Sequence, residues 1–241
     1  FTDFDVKWPS IGPGARGEGE IVFQYGADLY RYNLGDGQSH VIDITIPGDR
    51  PKIRQQLVDS SKTMSSWHIS PTGKRAIVSA RGDVWTAPAE HGSPRQLTDT
   101  DNAFERTPTW SPDGANIAYI SDASGEYEVY IAPADGRGEA RQLTTGGDTF
   151  KYDPIWSPDS KKIAYTEKTG AIWLVDVESG EMKKIDTDPF GWDGASNNLS
   201  WSHDSRWIAY ERSGDTRMTT AIWVYDVENG ENHRLTSGMF S

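Results

Sequence analysis

A four-residue turn returns along this chain at a spacing that leaves few choices of fold. Trp110-Ser-Pro-Asp, Trp156-Ser-Pro-Asp and Trp201-Ser-His-Asp are three copies, and Ile69-Ser-Pro-Thr is an earlier one. Counted between Ser70, Ser111, Ser157 and Ser202, the steps are 41, 46 and 45 residues. That is the length of one small antiparallel sheet in a radial repeat, and each unit of such a repeat buries its apolar surface against its neighbours.

Within a copy the pattern is strand, turn, strand. After Trp110, Pro112 presets the turn, Asp113 can bond its own backbone and Gly114 takes a conformation that costs a side-chain residue energy. Asn116-Ile-Ala-Tyr-Ile-Ser, Tyr127-Glu-Val-Tyr-Ile-Ala and Ala140-Arg-Gln-Leu-Thr then alternate in the manner of strands, separated by Ala123-Ser-Gly-Glu and Ala134-Asp-Gly. The later copies repeat this order through Ile163-Ala-Tyr-Thr and Trp207-Ile-Ala-Tyr, and a divergent first copy holds Glu20-Ile-Val-Phe-Gln and Asp28-Leu-Tyr-Arg-Tyr-Asn. The expected fold is all-β, a β-propeller of four-stranded antiparallel blades. Five blades are counted, over 5–46, 63–99, 107–145, 153–187 and 198–236, with an inter-blade loop at 47–62. They either close on one another or belong to a six- or seven-bladed ring.

Composition excludes several functions. A formal charge of -12, from 24 basic and 36 acidic side chains, disfavours nucleic acid and anionic membranes as partners. Without cysteine there is no disulfide framework and no thiolate metal site, and no run of 18 apolar residues suggests membrane insertion. The five histidines have no metal-ligand spacing, so no metal and no cofactor is expected. Gly194-Ala-Ser196 lacks the closing glycine of a nucleophile elbow, and Arg81-Gly-Asp83 reads as a repeat turn, so no catalytic residue is assigned. The chain does not begin with Met, and an upstream portion is expected.

Recurring aromatics are read as packing. Trp110, Trp156 and Trp201 form one column and Trp85, Trp173 and Trp223 another, which places them between blades. Two irregular connections remain as peptide or protein contacts. One carries Asp49, Arg50, Lys52 and Arg54; the other carries Trp192 and Asp193.

The Trp-Ser-Pro-Asp turn followed by Ile-Ala-Tyr, with Arg95-Gln-Leu-Thr and Arg141-Gln-Leu-Thr behind it, resembles the PD40 repeat of TolB-type propellers. Gly92-Ser-Pro-Arg-Gln-Leu-Thr and Glu105-Arg-Thr-Pro-Thr-Trp-Ser-Pro-Asp-Gly resemble the propeller region of tricorn-like, S41-type serine peptidases. That resemblance implies a prokaryotic, noncatalytic module of the cytoplasm or periplasm. It would guide peptides or organise assembly beside PDZ and peptidase domains of the same parent protein. The alternative is a stand-alone TolB-like interaction scaffold.

Overall fold

The computed structural model describes residues 5–14, 17–45, 59–147, 149–190, 198–214, 216, 219–237 and 239–240. The chain divides into two compact units, Phe1–Leu57 and Val58–Ser241. No helix among the described residues is long and apolar enough to cross a membrane.

The first unit is one antiparallel sheet of β1 (Val6–Gly12), β2 (Glu20–Tyr25), β3 (Asp28–Asn33) and β4 (Ser39–Val41), paired in that order. Phe23, stacked on Tyr30 with ring centres 5.8 Å apart, is its one fully buried large apolar side chain among the described residues.

The second unit holds four sheets in succession. They are β5 (Met64–Ile69) to β8 (Arg95–Gln96) through β6 (Arg75–Ala80) and β7 (Asp83–Pro88); β9 (Glu105–Trp110) to β12 (Arg141–Gln142) through β10 (Asn116–Ser121) and β11 (Glu128–Pro133); and β13 (Lys151–Trp156) to β16 (Met182–Thr187) through β14 (Lys162–Glu167) and β15 (Ala171–Asp176). The last is β17 (Ser200–Trp201), β18 (Trp207–Ser213), β19 (Thr219–Asp226) and β20 (Glu231–Arg234). A short β21 (Met239–Phe240) pairs with the start of β19.

The core lies between sheets, as a repeat of this length requires. Ile77 and Val84 meet Trp110, Ile117 and Tyr119; Ala118, Val129 and Leu143 meet Trp156, Ile163 and Tyr165; Ala164, Ile172 and Leu174 meet Ile208, Tyr210 and Tyr225. Trp110 and Trp156 are each 7 % exposed, and Trp173, Trp201 and Trp223 pack partly buried against the same clusters. The first strands β5 and β9, and β9 and β13, approach one another closely, and the first strands form the inner edge of the stack.

The recurring serine turn is held by one arrangement of hydrogen bonds. Ser111 Oγ donates to Asp113 Oδ1 at 2.6 Å and accepts Asn116 N–H at 2.9 Å, while Asp113 Oδ1 accepts Ala115 N–H. Ser157 and Ser202 do the same with Asp159 and Asp204. Gly73 and Gly114 take φ of about 70° and 75° in this turn, where the later copies have Ser160 and Ser205 at 60° and 61°. The strain of a left-handed serine has a compensation. Ser160 Oγ accepts Asp113 N–H at 3.1 Å and Ser205 Oγ accepts Asp159 N–H at 3.0 Å, so each serine ties its turn to the preceding sheet.

Two stability outcomes follow from this packing. Trp156→Ala should cost about 3–5 kcal/mol in chemical denaturation, because it empties the space between the third and fourth sheets. Ser160→Ala, which loses the inter-sheet bond and keeps the strained φ, should cost about 1 kcal/mol, whereas Ser160→Gly relaxes the backbone and should be nearly neutral.

Candidate functional site

The strand directions of the second unit define two faces. The Ser-Pro-Asp turns and the turns into the fourth strands lie on one; the connections between sheets and the turns into the third strands lie on the other.

Two of the first strands, and the residue leading into a third, depart from extended geometry at the same step. Thr107, Asp153 and Asn198, three residues before Trp110, Trp156 and Trp201, have φ of 47°, 36° and 44°. Beside Thr107 and Asp153 the ladder slips by one residue, since Arg106 and Thr109 face Ile120 and Ala118, and Tyr152 and Ile155 face Thr166 and Ala164. These are β-bulges, which turn backbone groups out of the ladder. Pro108 and Pro154 follow the left-handed residue, and proline in a strand is accommodated at an edge or a bulge. Trp8-Pro9 repeats the device in the first sheet, with Trp8 at φ 55°. A left-handed non-glycine residue costs roughly 1–3 kcal/mol, and such strain clusters where a chain presents groups to a ligand. The released groups are polar. Thr107 N–H is accepted by Ser66 Oγ at 3.1 Å, Trp110 N–H by His68 Nδ1 at 3.1 Å, and Asp153 and Asn198 are exposed.

Arg106 stands next to this edge. Its guanidinium lies 3.8 Å from the centre of the Phe150 ring and 4.7 Å from that of Tyr127, and Nη2 donates to the Lys151 carbonyl at 2.5 Å. Tyr127, Phe150 and Tyr152 form a continuous aromatic group, with centroid separations of 5.0 and 4.9 Å. A cation stacked between ring faces is held in one orientation, and its Nε, buried without a partner among the described residues, keeps a donor unused.

Behind the inner edge, on the same face, each gap between sheets holds a different charge arrangement. Lys151, 1 % exposed, sits 3.3 Å from Glu128 Oε2 and 3.9 Å from Glu167 Oε1. Glu128 also accepts the Gly147 N–H at 2.8 Å and the Thr144 hydroxyl. Between the fourth and fifth sheets, Asp186 Oδ2 accepts from Tyr210 Oη at 2.6 Å and Arg212 Nη1 at 3.1 Å. Burial first, then the bond to Asp186, pushes the Tyr210 hydroxyl up, so it remains a neutral donor. In the preceding gap the position equivalent to Lys151 is Glu105, also 1 % exposed, with neither carboxylate oxygen at hydrogen-bond distance of a partner among the described residues. Burial raises its pKa; the Thr98 and Thr100 hydroxyls oppose that shift, while Asp83 and Asp122 add to it. Among the described residues no three acidic or histidine side chains converge as a metal site requires.

The sequence-nominated contacts Asp49, Arg50, Lys52, Arg54, Trp192 and Asp193, together with Ser196, lie outside the described residues. Arg81-Gly-Asp83 is a turn between β6 and β7, with Arg81 and Gly82 at φ 60° and 92°. The inner-edge residues Thr107, Asp153 and Asn198 were not singled out from the sequence. The signal was available as Pro108 and Pro154, a proline at one fixed step inside an otherwise regular strand.

Glu105 supports a prediction with a defined sign. A carboxyl whose folded pKa is raised contributes stability that is full below its ordinary range and is lost as pH rises through the folded value. Glu105→Gln removes that loss. The variant should unfold at higher denaturant than the parent at pH 7.5, by about 1–3 kcal/mol for relief of an unpartnered buried charge. The difference should close at pH 4.

A family model described as the tricorn protease second β-propeller domain matches residues 64–241. Tricorn protease homolog 1 of Streptomyces coelicolor is 28 % identical over 200 residues, which are 80 % of this chain and 18 % of that protein. Putative tricorn protease homolog 2 of the same organism is 27 % identical over 114 residues, 46 % of this chain and 10 % of that protein. The chain thus spans under a fifth of the length of either curated relative. In three dimensions it is similar to the crystal structure of the tricorn protease, with a TM-score of 0.68 and 19 % identity over 99 % of this chain and 22 % of that one. It is also similar to a putative TolB from Agrobacterium tumefaciens, with a TM-score of 0.56 and 21 % identity over 99 % and 83 %.

Proposed function

The chain belongs to the family of the tricorn protease second β-propeller domain, and from that premise we propose that it is a noncatalytic module which binds peptide and guides it within a tricorn-like peptidase. In this reading the proteolytic centre and any PDZ domain belong to other parts of the parent protein, and this chain by itself has no peptidase activity.

The observation that carries the proposal is the inner edge. Two successive first strands and the residue leading into a third spend backbone strain at one repeat step, at Thr107, Asp153 and Asn198, and carry polar side chains there. An extended peptide is recognised largely through its main-chain N–H and C=O groups. The Thr107 and Trp110 N–H groups are already bonded to Ser66 and His68, so the short polar side chains at this step are the contacts offered, and they do not demand one peptide sequence. The net charge of -12 favours basic or neutral segments over acidic ones. The two connections nominated by the sequence, with Asp49, Arg50, Lys52 and Arg54 in one and Trp192 and Asp193 in the other, are proposed as further peptide contacts.

The test is a fluorescence-anisotropy titration of the full chain with a labelled, unstructured, weakly basic ten-residue peptide. Asp153→Lys, at an exposed position, should weaken binding at least fivefold; lysine tolerates φ 36° less well than aspartate, so the thermal midpoint should fall slightly while the fold is kept. Trp192→Ser and a joint Arg50, Lys52 and Arg54 to Ser variant should each weaken it less. Equal affinity for parent and Asp153→Lys removes the inner edge as the peptide site, and absence of any saturable binding removes the proposal.

A further inference from the structure

On the opposite face, one gap between sheets is built differently from the other two. In each gap a basic residue of the fourth strand stands at a fixed pairing position: Arg95 opposite Thr86, Arg141 opposite Ile131 and Lys183 opposite Leu174. The two arginines close their gaps. Arg95 Nη1 donates to the Asp135 carbonyl at 3.4 Å, and Arg141 Nη2 donates to the Val177 carbonyl, each in a turn of the following sheet. Lys183 makes no such bond and has no hydrogen bond or ion pair among the described residues; its Nζ instead lies 5.5 Å from the centre of the Tyr225 ring. Tyr225 is itself a departure from the repeat. It pairs with Ile208 where the earlier sheets have Val175, Ala132 and Ala87 at the equivalent step.

Lys183 and Tyr225 line a cavity of about 270 Å³ between the fourth and fifth sheets, together with Lys162, Asp176, Ser179, Glu181, Leu174 and Val227. Two donors in it are unused. Tyr225 is 1 % exposed and its Oη has no partner among the described residues, and Lys183 Nζ has no acceptor. Lys162, Asp176 and Ser179 are already committed to one another, and the Glu181 carboxylate is exposed. Asp176 accepts from Lys162 Nζ at 3.0 Å and from the Ser179 N–H and hydroxyl, each at 2.9 Å.

We propose that this cavity binds a small monocarboxylate, whose two oxygens accept from Lys183 Nζ and Tyr225 Oη. A buried hydroxyl without a partner costs free energy that a ligand acceptor returns, and an ammonium at the cavity wall makes the bond charge-assisted. Asp176 and Glu181 in the lining set the selectivity, because they repel a ligand carrying more than one negative charge. The apolar remainder of the ligand rests on Leu174 and Val227. This site is separate from the inner edge and stands whether or not that edge binds peptide.

The experiment is an NMR titration of the ¹⁵N-labelled full chain with N-acetylalanine, watching the amides of Ser179, Gly180 and Gly230. Saturable shifts are expected with N-acetylalanine, and none of comparable size with N-acetylalaninamide or inorganic phosphate. Lys183→Met, on the exposed rim, should weaken binding at least tenfold. Tyr225→Phe should weaken it several-fold while leaving the thermal midpoint unchanged or higher, an outcome that a merely structural hydroxyl would not produce. N-acetyl-trialanine as a free acid distinguishes the sources: affinity equal to that of N-acetylalanine assigns a peptide C-terminus, and much weaker affinity assigns a free small acid. Equal shifts from the amide or from phosphate, or unchanged binding in Lys183→Met, overturn the proposal.

Discussion

The structure of residues 58–241 depends on one constraint: a four-stranded sheet has two faces and can bury them only against its neighbours. Every large apolar cluster in this unit draws residues from two consecutive sheets, and none is completed within one. The 41- to 46-residue step follows, since that length supplies four short strands, three turns and a connection to the next sheet. Stability then resides in the gaps, and a change in any one of them is felt mainly by the two sheets that form it.

Because several of the charged side chains in these gaps are buried, the polar content of a gap has large consequences. The same slot holds Lys151 between two glutamates in one gap and an unpartnered Glu105 in the gap before it. A buried ion pair such as the first roughly offsets its own desolvation, while an unpartnered carboxylate does not. The repeat therefore conserves shape from sheet to sheet and leaves the charge of each gap free to vary. The two faces have diverged by the same route. On one, Arg106 is fixed on aromatic rings beside strained inner strands; on the other, Lys183 stands where arginines bridge the earlier gaps, and it lines a cavity together with Tyr225.

Membership of the tricorn second-propeller family accounts for the Arg-Gln-Leu-Thr segments as structure, not chemistry. Thr98 Oγ1 accepts Val84 N–H at 2.8 Å, Thr144 Oγ1 accepts Val129 N–H at 2.9 Å and Thr236 Oγ1 accepts Ile222 N–H at 2.9 Å, each fastening the end of a fourth strand to the third. With the residues most typical of the repeat used in this way, the functional candidates are those that depart from it or exceed its needs: Arg106, Asp153, Asn198, Lys183 and Tyr225.

By itself the sequence determined the class of fold, the four-stranded unit and the burial of Trp110 and Trp156, because turn chemistry and period-two alternation are local and the spacing of the turns repeats them in phase. It also foretold the serine turn, where Pro112, Asp113 and Gly114 each have a local reason to be present. Only the tertiary structure decided which recurring residues meet across a gap. Lys151 and Glu128 are 23 positions apart and Arg141 and Val177 are 36 apart, and no local pattern pairs them. The bulges at Thr107 and Asp153 stood between these cases. Their prolines were legible, but the left-handed φ and the neighbours it faces arise when one inner strand is packed against the next, and that packing is a property of the assembled sheets.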